Sequence, residues 1–206
     1  LFTDQKIWPR GFPLRLITSK TISRENIEVK ESKIGIWQGL ADEDPDVDAI
    51  YRLTSNEFCD FKQEPPVVLG TQTICPFNSQ NTAFRKELFV LLYMPTYVTF
   101  RFTDILRGLV AQPIMWLYDL QLGFTNATVV QKRNAHDFMK DFESEIPMYL
   151  HAEKVISIVS ESISSAFSIE DNLLKAYEAL FRNNIVDVRE LETLKAWIMD
   201  YKTLAN

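Results

Sequence analysis

Five carboxylates fall within seven residues in the run Asp42-Glu43-Asp44-Pro45-Asp46-Val47-Asp48. Like charges at that density repel one another unless water, a cation or hydrogen-bond donors screen them. One reading is a divalent metal site. Mg²⁺ or Mn²⁺ takes oxygen ligands, and alternate residues of an extended segment turn their carboxylates the same way, which makes Asp46 and Asp48 the candidate pair. The other reading is a solvated acidic loop that leads into a strand at Ala49–Leu53. His136 sits in Gln131-Lys132-Arg133-Asn134-Ala135-His136, just beyond a strand end, and is either a further metal ligand or an ordinary surface histidine.

Asp104 follows Thr103 at the expected first turn of a helix, where the positive dipole end and free N–H groups favour a carboxylate. A carboxylate there can serve as a base or anchor a sugar hydroxyl, or it can simply stabilise the turn. Arg101 and Arg107 flank it, as carboxylate partners or as clamps for diphosphate oxygens. The loop Pro76-Phe77-Asn78-Ser79-Gln80-Asn81-Thr82 is rich in paired donors and acceptors. Asn78, Gln80 and Asn81 are the residue types that read hydroxylated ligands, and equally the types that build turns. No Gly-x-Ser-x-Gly elbow, phosphate-cradling glycine loop or Cys-x-x-Cys pair is present. Asn126-Ala127-Thr128 matches the glycosylation acceptor pattern, which has meaning only in the secretory pathway.

These residues need elements to hold them. All 6 glycines and all 9 prolines precede residue 148, so glycine and proline divide the chain. Before that point, short apolar runs at Ile34–Trp37, Ala49–Leu53 and Val67–Leu69 read as strands of an α/β layer, and Ala127–Gln131 as a last strand. Arg85–Tyr93 reads as a short helix or a buried strand. Asp104–Ala111 reads as a helix capped by Thr103 and kinked or ended by Pro113. After residue 147, apolar residues recur at helical spacing. They predict three helices near 148–167, 169–183 and 188–204, with start signals at Ser168/Asp171 and Asp187/Glu190.

Composition bounds the rest. The 206 residues are 46% apolar and 24% charged, enough for a hydrophobic core. With 22 Lys and Arg against 28 Asp and Glu, the net charge is −6, the wrong sign for a nucleic-acid partner. The longest apolar run, Leu88–Met94, is far short of the roughly 20 residues a membrane helix needs. Cys59 and Cys75 leave one bridge or two free thiols equally open. The chain starts at Leu1 with no basic-then-apolar leader, as expected of a processed protein or an excised piece.

Several pieces together resemble a known group. Trp8–Pro13, Gly35–Leu40, Asp44–Leu53, Pro76–Thr82 and Arg101–Gly108 recur in this order in the STELLO-like glycosyltransferases, with Gln131–His136 and Asp141–Glu143 as a weaker block. The resemblance covers residues 8 to 145 and leaves the helical tail outside. Arg10-Gly11-Phe12-Pro13 with Arg15, Asn81–Leu88, and Asp104 followed by Gly108 are more distantly similar to the reversibly glycosylated polypeptides, which include UDP-arabinopyranose mutases.

The resemblance implies an α/β fold of the GT-A nucleotide-sugar type, with residues 1–147 as its acceptor-side part and 148–206 as an all-helical extension of about three helices. It also implies a donor half carrying Asp-x-Asp upstream of Leu1, a UDP-sugar donor with Mn²⁺ or Mg²⁺, a glycan or protein acceptor, and a Golgi or other secretory lumen. Asp104 would be the acceptor-side carboxylate. Arg10 aligns with the arginine that becomes glycosylated in the mutase-related proteins, and Arg10, Asn78, Gln80, Asn81 and Arg107 would contact substrate. The alternative implied is a glycosyltransferase-like protein without turnover that assists another glycan-synthesising enzyme, with the helical tail as its docking surface.

Overall fold

Strand β1 (Ile34–Glu43) lies in the interior of a mixed sheet, flanked on both edges. It pairs in parallel with β4 (Gln121–Gln131) and antiparallel with β3 (Thr82–Phe84), while the short β2 (Val67–Val68) closes the far side of β4. The order is β2-β4-β1-β3. In this computed structural model residues 1–18, 27–55 and 57–205 are described. Ile36 stands opposite Leu122 and Trp37 opposite Gly123. A Cβ on Gly123 would lie 2.4 Å from the Trp37 ring, so only glycine lets the indole lie across the neighbouring strand.

The run Ala49–Leu53 is not a strand. It forms helix α1 (Ala49–Thr54), because Asp48 is extended and its side chain accepts from the Tyr51 N–H at 2.9 Å, starting a helix where the apolar run suggested a strand. Arg85–Tyr93 resolves as a 3₁₀ helix, Lys86–Leu92.

Helix α2 (Thr103–Trp116) runs through Pro113 instead of ending there. Every residue from Asp104 to Met115 is buried, which makes α2 the central helix of the molecule. An interior proline costs about 3 kcal/mol. Burying Leu106, Leu109, Ile114 and Met115, all at most 1% exposed, returns about 1.5–3 kcal/mol each, so packing wins over the lost hydrogen bond. Thr103 is the first helical residue and not the cap, since its hydroxyl donates to the Phe100 carbonyl.

Helix α3 (Phe138–Ser162) begins ten residues before the expected start and contains Pro147. Asp137 caps it, accepting from Met139 N and Lys140 N. Residue 147 is thus interior to one continuous helix. Helix α4 (Ile169–Arg182) has the predicted Ser168 cap on the Asp171 N–H, and α5 (Val188–Ala205) follows. Their apolar faces join one cluster with the sheet and α2, in which Ile36, Leu106, Ile114, Met148, Val155, Tyr177, Leu180 and Leu194 are all 0% exposed. Cys59 and Cys75 are both free thiols. Among the described residues no helix is long and apolar enough to cross a membrane.

A buried carboxylate locks α5 to the rest. Glu190, 0% exposed, accepts from Thr96 N at 3.0 and 3.1 Å, from Tyr97 N at 2.8 Å and from the Tyr93 hydroxyl. Burial and the Glu190 contact push the Tyr93 phenol far above its usual range. Glu190→Ala should therefore cost roughly 3 kcal/mol of unfolding free energy, since it strands several buried donors. Urea denaturation checks this, and a loss below about 1 kcal/mol would contradict the locking role.

Candidate functional site

Strands β1 and β4 are parallel and end together, Glu43 beside Gln131. In open α/β sheets the crevice outside such strand ends is where ligands bind. The loops leaving them, 44–48 and 132–137, flank a cavity of about 380 Å³. Asp46, Arg10, Asp104, Ser79 and Gln80 line it from the N-terminal segment, the loops 44–48 and 76–82 and α2, and Gln131, Lys132, Arg133, Asn134 and His136 from the end of β4 and the loop after it.

Arg10 sits at the bottom. Its Nε donates to both Asp46 oxygens at 3.1 Å, and Nη2 donates to Asp46 Oδ2 at 2.7 Å and to the Asp104 oxygens at 3.0 and 3.1 Å. Nη1 donates to the Arg101 carbonyl. Gly11 makes this approach possible. Its φ is +85° and a Cβ would lie 2.5 Å from Ile105 Cγ2, so only glycine lets the segment turn against α2.

Asp46 also accepts from Asn78 Nδ2 at 2.9 Å and Arg133 Nη2 at 3.3 Å, with Arg101 Nη1 at 3.9 Å. Burial opposes ionisation of Asp46, but the charge and hydrogen bonds of Arg10, helped by Arg101 and Arg133, override it and hold the carboxyl at about 2. For Arg10, burial weakens its hold on the proton, and the Asp46 and Asp104 charges more than reverse that, so its pKa is raised. Asp104 takes one more hydrogen bond, from the Ser79 N–H at 3.1 Å.

The other expected site residues divide. Arg107 holds the loop from below, donating to Ser79 Oγ at 3.0 Å and the Asn78 carbonyl at 3.2 Å, while its guanidinium stacks 5.6 and 5.3 Å from the Phe77 and Phe84 ring centres. The Gln80 side chain lines the cavity and makes no hydrogen bond among the described residues. Asn81 is elsewhere, pinning β1 to β4 through the Leu40 carbonyl and Thr128 Oγ1. Arg10 is 5% exposed with all three nitrogens engaged, which makes it a positioning group and not an accessible glycosylation target.

The expected metal ligands do not fit a divalent ion. Asp48 is 0% exposed and faces away, accepting from Tyr51 N at 2.9 Å and Trp8 Nε1 at 2.7 Å. It opens a helix, so the alternation of an extended segment does not apply to it. Asp46 already accepts from two arginines and an amide, and His136 contacts Asp141 at 3.0 Å. Among the described residues no three His, Cys, Asp or Glu side chains stand close enough to share an ion.

Two residues carry weight that the sequence reading did not assign. Arg133 reaches Asp46 from the loop after β4, with only its place in the Gln131–His136 block as a signal. Glu145, 0% exposed, accepts from Arg101 Nε at 2.9 Å and Nη2 at 2.7 Å, from Ala49 N at 2.7 Å and from the Tyr149 hydroxyl. A carboxylate on the Met148–Ala152–Val155–Val159 stripe was its available signal.

Burial is the main force that pushes Asp48 up to about 6; the N–H donors of Tyr51 and Trp8 pull the other way, and the Glu145 charge adds to the rise. A carboxyl raised in the folded state favours folding below its unfolded pKa near 4, and that contribution is lost as pH rises through about 6. Asp46 works oppositely, stabilising above about 4 and losing that contribution as pH falls through about 2. Between pH 4.5 and 7.5 Asp48 changes charge and Asp46 does not, so in Asp48→Asn the decline of stability over that range should shrink by about 2 kcal/mol. Urea denaturation at the two pH values measures it, and an unchanged slope would contradict the assignment.

The family model described as "STELLO glycosyltransferases" matches residues 101–206. The match takes in α2 with Asp104, the loop after β4 and all three last helices, so the likeness extends over the helical tail as well. "Probable glycosyltransferase STELLO1" of Arabidopsis thaliana is 27% identical over 209 aligned residues, and "Probable glycosyltransferase STELLO2" of the same plant is 25% identical over 207. Each alignment covers 97% of this chain and 26% of the relative, so the chain spans about a quarter of the length of these relatives. With the family model covering more than half of its residues, and the curated relatives aligned along nearly all of it, the chain belongs to the STELLO glycosyltransferases.

Proposed function

We propose that the chain carries the acceptor-side part of a GT-A-type glycosyltransferase that uses a nucleotide sugar, a UDP-sugar, and that the cavity at the ends of β1 and β4 is its active cavity. The single observation that carries this reading is the pair Asp46 and Asp104, joined by Arg10 and lining one cavity with Lys132 and Arg133. In glycosyl transfer the sugar becomes cation-like as the diphosphate departs, and preorganised charges supply most of the rate gain. Carboxylates suit the sugar and acceptor side, and cations suit the leaving group.

Asp104 has the role of base or hydroxyl anchor. Among the described residues its Oδ1 accepts only from Arg10, which leaves a lone pair for an acceptor hydroxyl, while Oδ2 is held by Arg10 and Ser79 N. Gln80 offers the free amide nearby. The acceptor is a glycan or a protein, and the setting is a Golgi or other secretory lumen, in keeping with the family's glycosyltransferase character. One observation favours the second reading, a family member without turnover that assists another enzyme: Arg10 matches both cavity carboxylates in the manner of a structural ion-pair network.

Asp104→Asn decides between them. On the first reading it should lower sugar-transfer turnover by about 10²–10⁴-fold, with little change in melting temperature because the amide oxygen still accepts from Ser79 N. Full activity in the variant would remove Asp104 from catalysis, and absence of turnover in the unaltered protein would favour the second reading.

A further inference from the structure

The residues that line the cavity are not equivalent in chemistry. Asp46 and Asp104 are already matched, by Arg10, Asn78, Arg133 and the Ser79 N–H. On the loop after β4 donors are left over. The exposed Lys132 ammonium makes no hydrogen bond or ion pair among the described residues. Arg133 spends only Nη2, on the Pro45 carbonyl and Asp46 Oδ1, both at 3.3 Å, and its Nε is buried with no partner there. Arg107, behind Ser79, likewise has a buried Nε without a partner.

Charge points the same way. Arg10 and Arg133 balance Asp46 and Asp104, and Arg101 balances Glu145. Lys132, which lines the cavity, then has no carboxylate partner among the described residues, in a chain whose net charge is −6. Such local reversal focuses an anion onto the site. A divalent cation would add repulsion to this loop and would have to displace arginines from Asp46, whereas phosphate oxygens match the leftover N–H donors.

From these observations we propose that the cavity binds the diphosphate of the donor directly, through Lys132 and Arg133, with no divalent cation between the anion and these residues. This rests on the reading of the same cavity as a nucleotide-sugar site and names the part of the substrate that this loop takes.

Calorimetric titration of the 206-residue chain with inorganic pyrophosphate and with uridine diphosphate, each in EDTA, tests it. Both should bind in EDTA, uridine diphosphate at least as tightly as pyrophosphate. Arg133→Gln should weaken both at least tenfold. Because Arg133 also holds Asp46, Lys132→Gln is the companion variant: it removes no hydrogen bond or ion pair among the described residues and should weaken both about three- to tenfold. Mn²⁺ should not tighten either. Absence of binding in EDTA, a requirement for Mn²⁺, or unchanged affinity in Lys132→Gln would overturn the proposal, and pyrophosphate binding tenfold tighter than uridine diphosphate would overturn the nucleotide origin of the anion. The titration involves no sugar transfer, so its failure leaves the Asp104 turnover test standing, and failure of that test leaves this one.

Discussion

One guanidinium holds together parts of the chain that are far apart in sequence. Arg10 comes from the N-terminal segment, Asp46 from the loop after β1, and Asp104 from the first turn of α2, and the three side chains are nearly buried. Removing two carboxylates and an arginine from water is costly, and the cost is offset only when the geometry satisfies nearly every donor and acceptor. That condition is met here by the Asn78 amide, the Ser79 N–H, the Arg101 carbonyl and Arg133. Taking Arg10 away would leave two carboxylates buried together, a loss of about 3–5 kcal/mol in comparable cases. The position of the loop 76–82, the mouth of the cavity and the start of α2 all follow from this one node.

The same device recurs at a second level. Glu145 on α3 and Glu190 on α5 are fully buried carboxylates that reach backbone N–H groups in other segments, Ala49 in one case and Thr96 and Tyr97 in the other. Each satisfies orphan donors that loops and helix starts leave behind. Glu145 also takes the Arg101 guanidinium, the neighbour whose carbonyl receives Arg10. The late helices therefore support the cavity through an ion pair at one end and an apolar cluster at the other.

Much of this was legible in the sequence, and the misses have physical causes. Ser168 with Asp171 announced α4 correctly because a cap is a local interaction between near neighbours. Ala49–Leu53 misled because the residue immediately before the apolar run, Asp48, is a helix cap whose carboxylate also reads as a metal ligand. Pro113 and Pro147 misled because a proline's local cost is visible in the sequence while the burial that outweighs it is not. At the site, Asp104, Arg10, Asp46, Gln80 and His136, each a candidate by residue type and spacing, line one cavity. Their pairing was not legible, since which arginine meets which aspartate depends on contacts between distant segments. Arg133 and Glu145 stayed hidden for that reason.

Helix α3 starts beside His136 and Asp141 at the cavity, carries Glu145 beneath it, and ends among Val155 and Val159 in the core shared with α4 and α5. At about 1.5 Å per residue a helix of this length is a strut of nearly 40 Å. A cut at residue 148 would sever that strut and strip the apolar cover from α2. The helical tail is then not a detachable module, because the helix that props the cavity at one end is the one that carries the tail's core at the other.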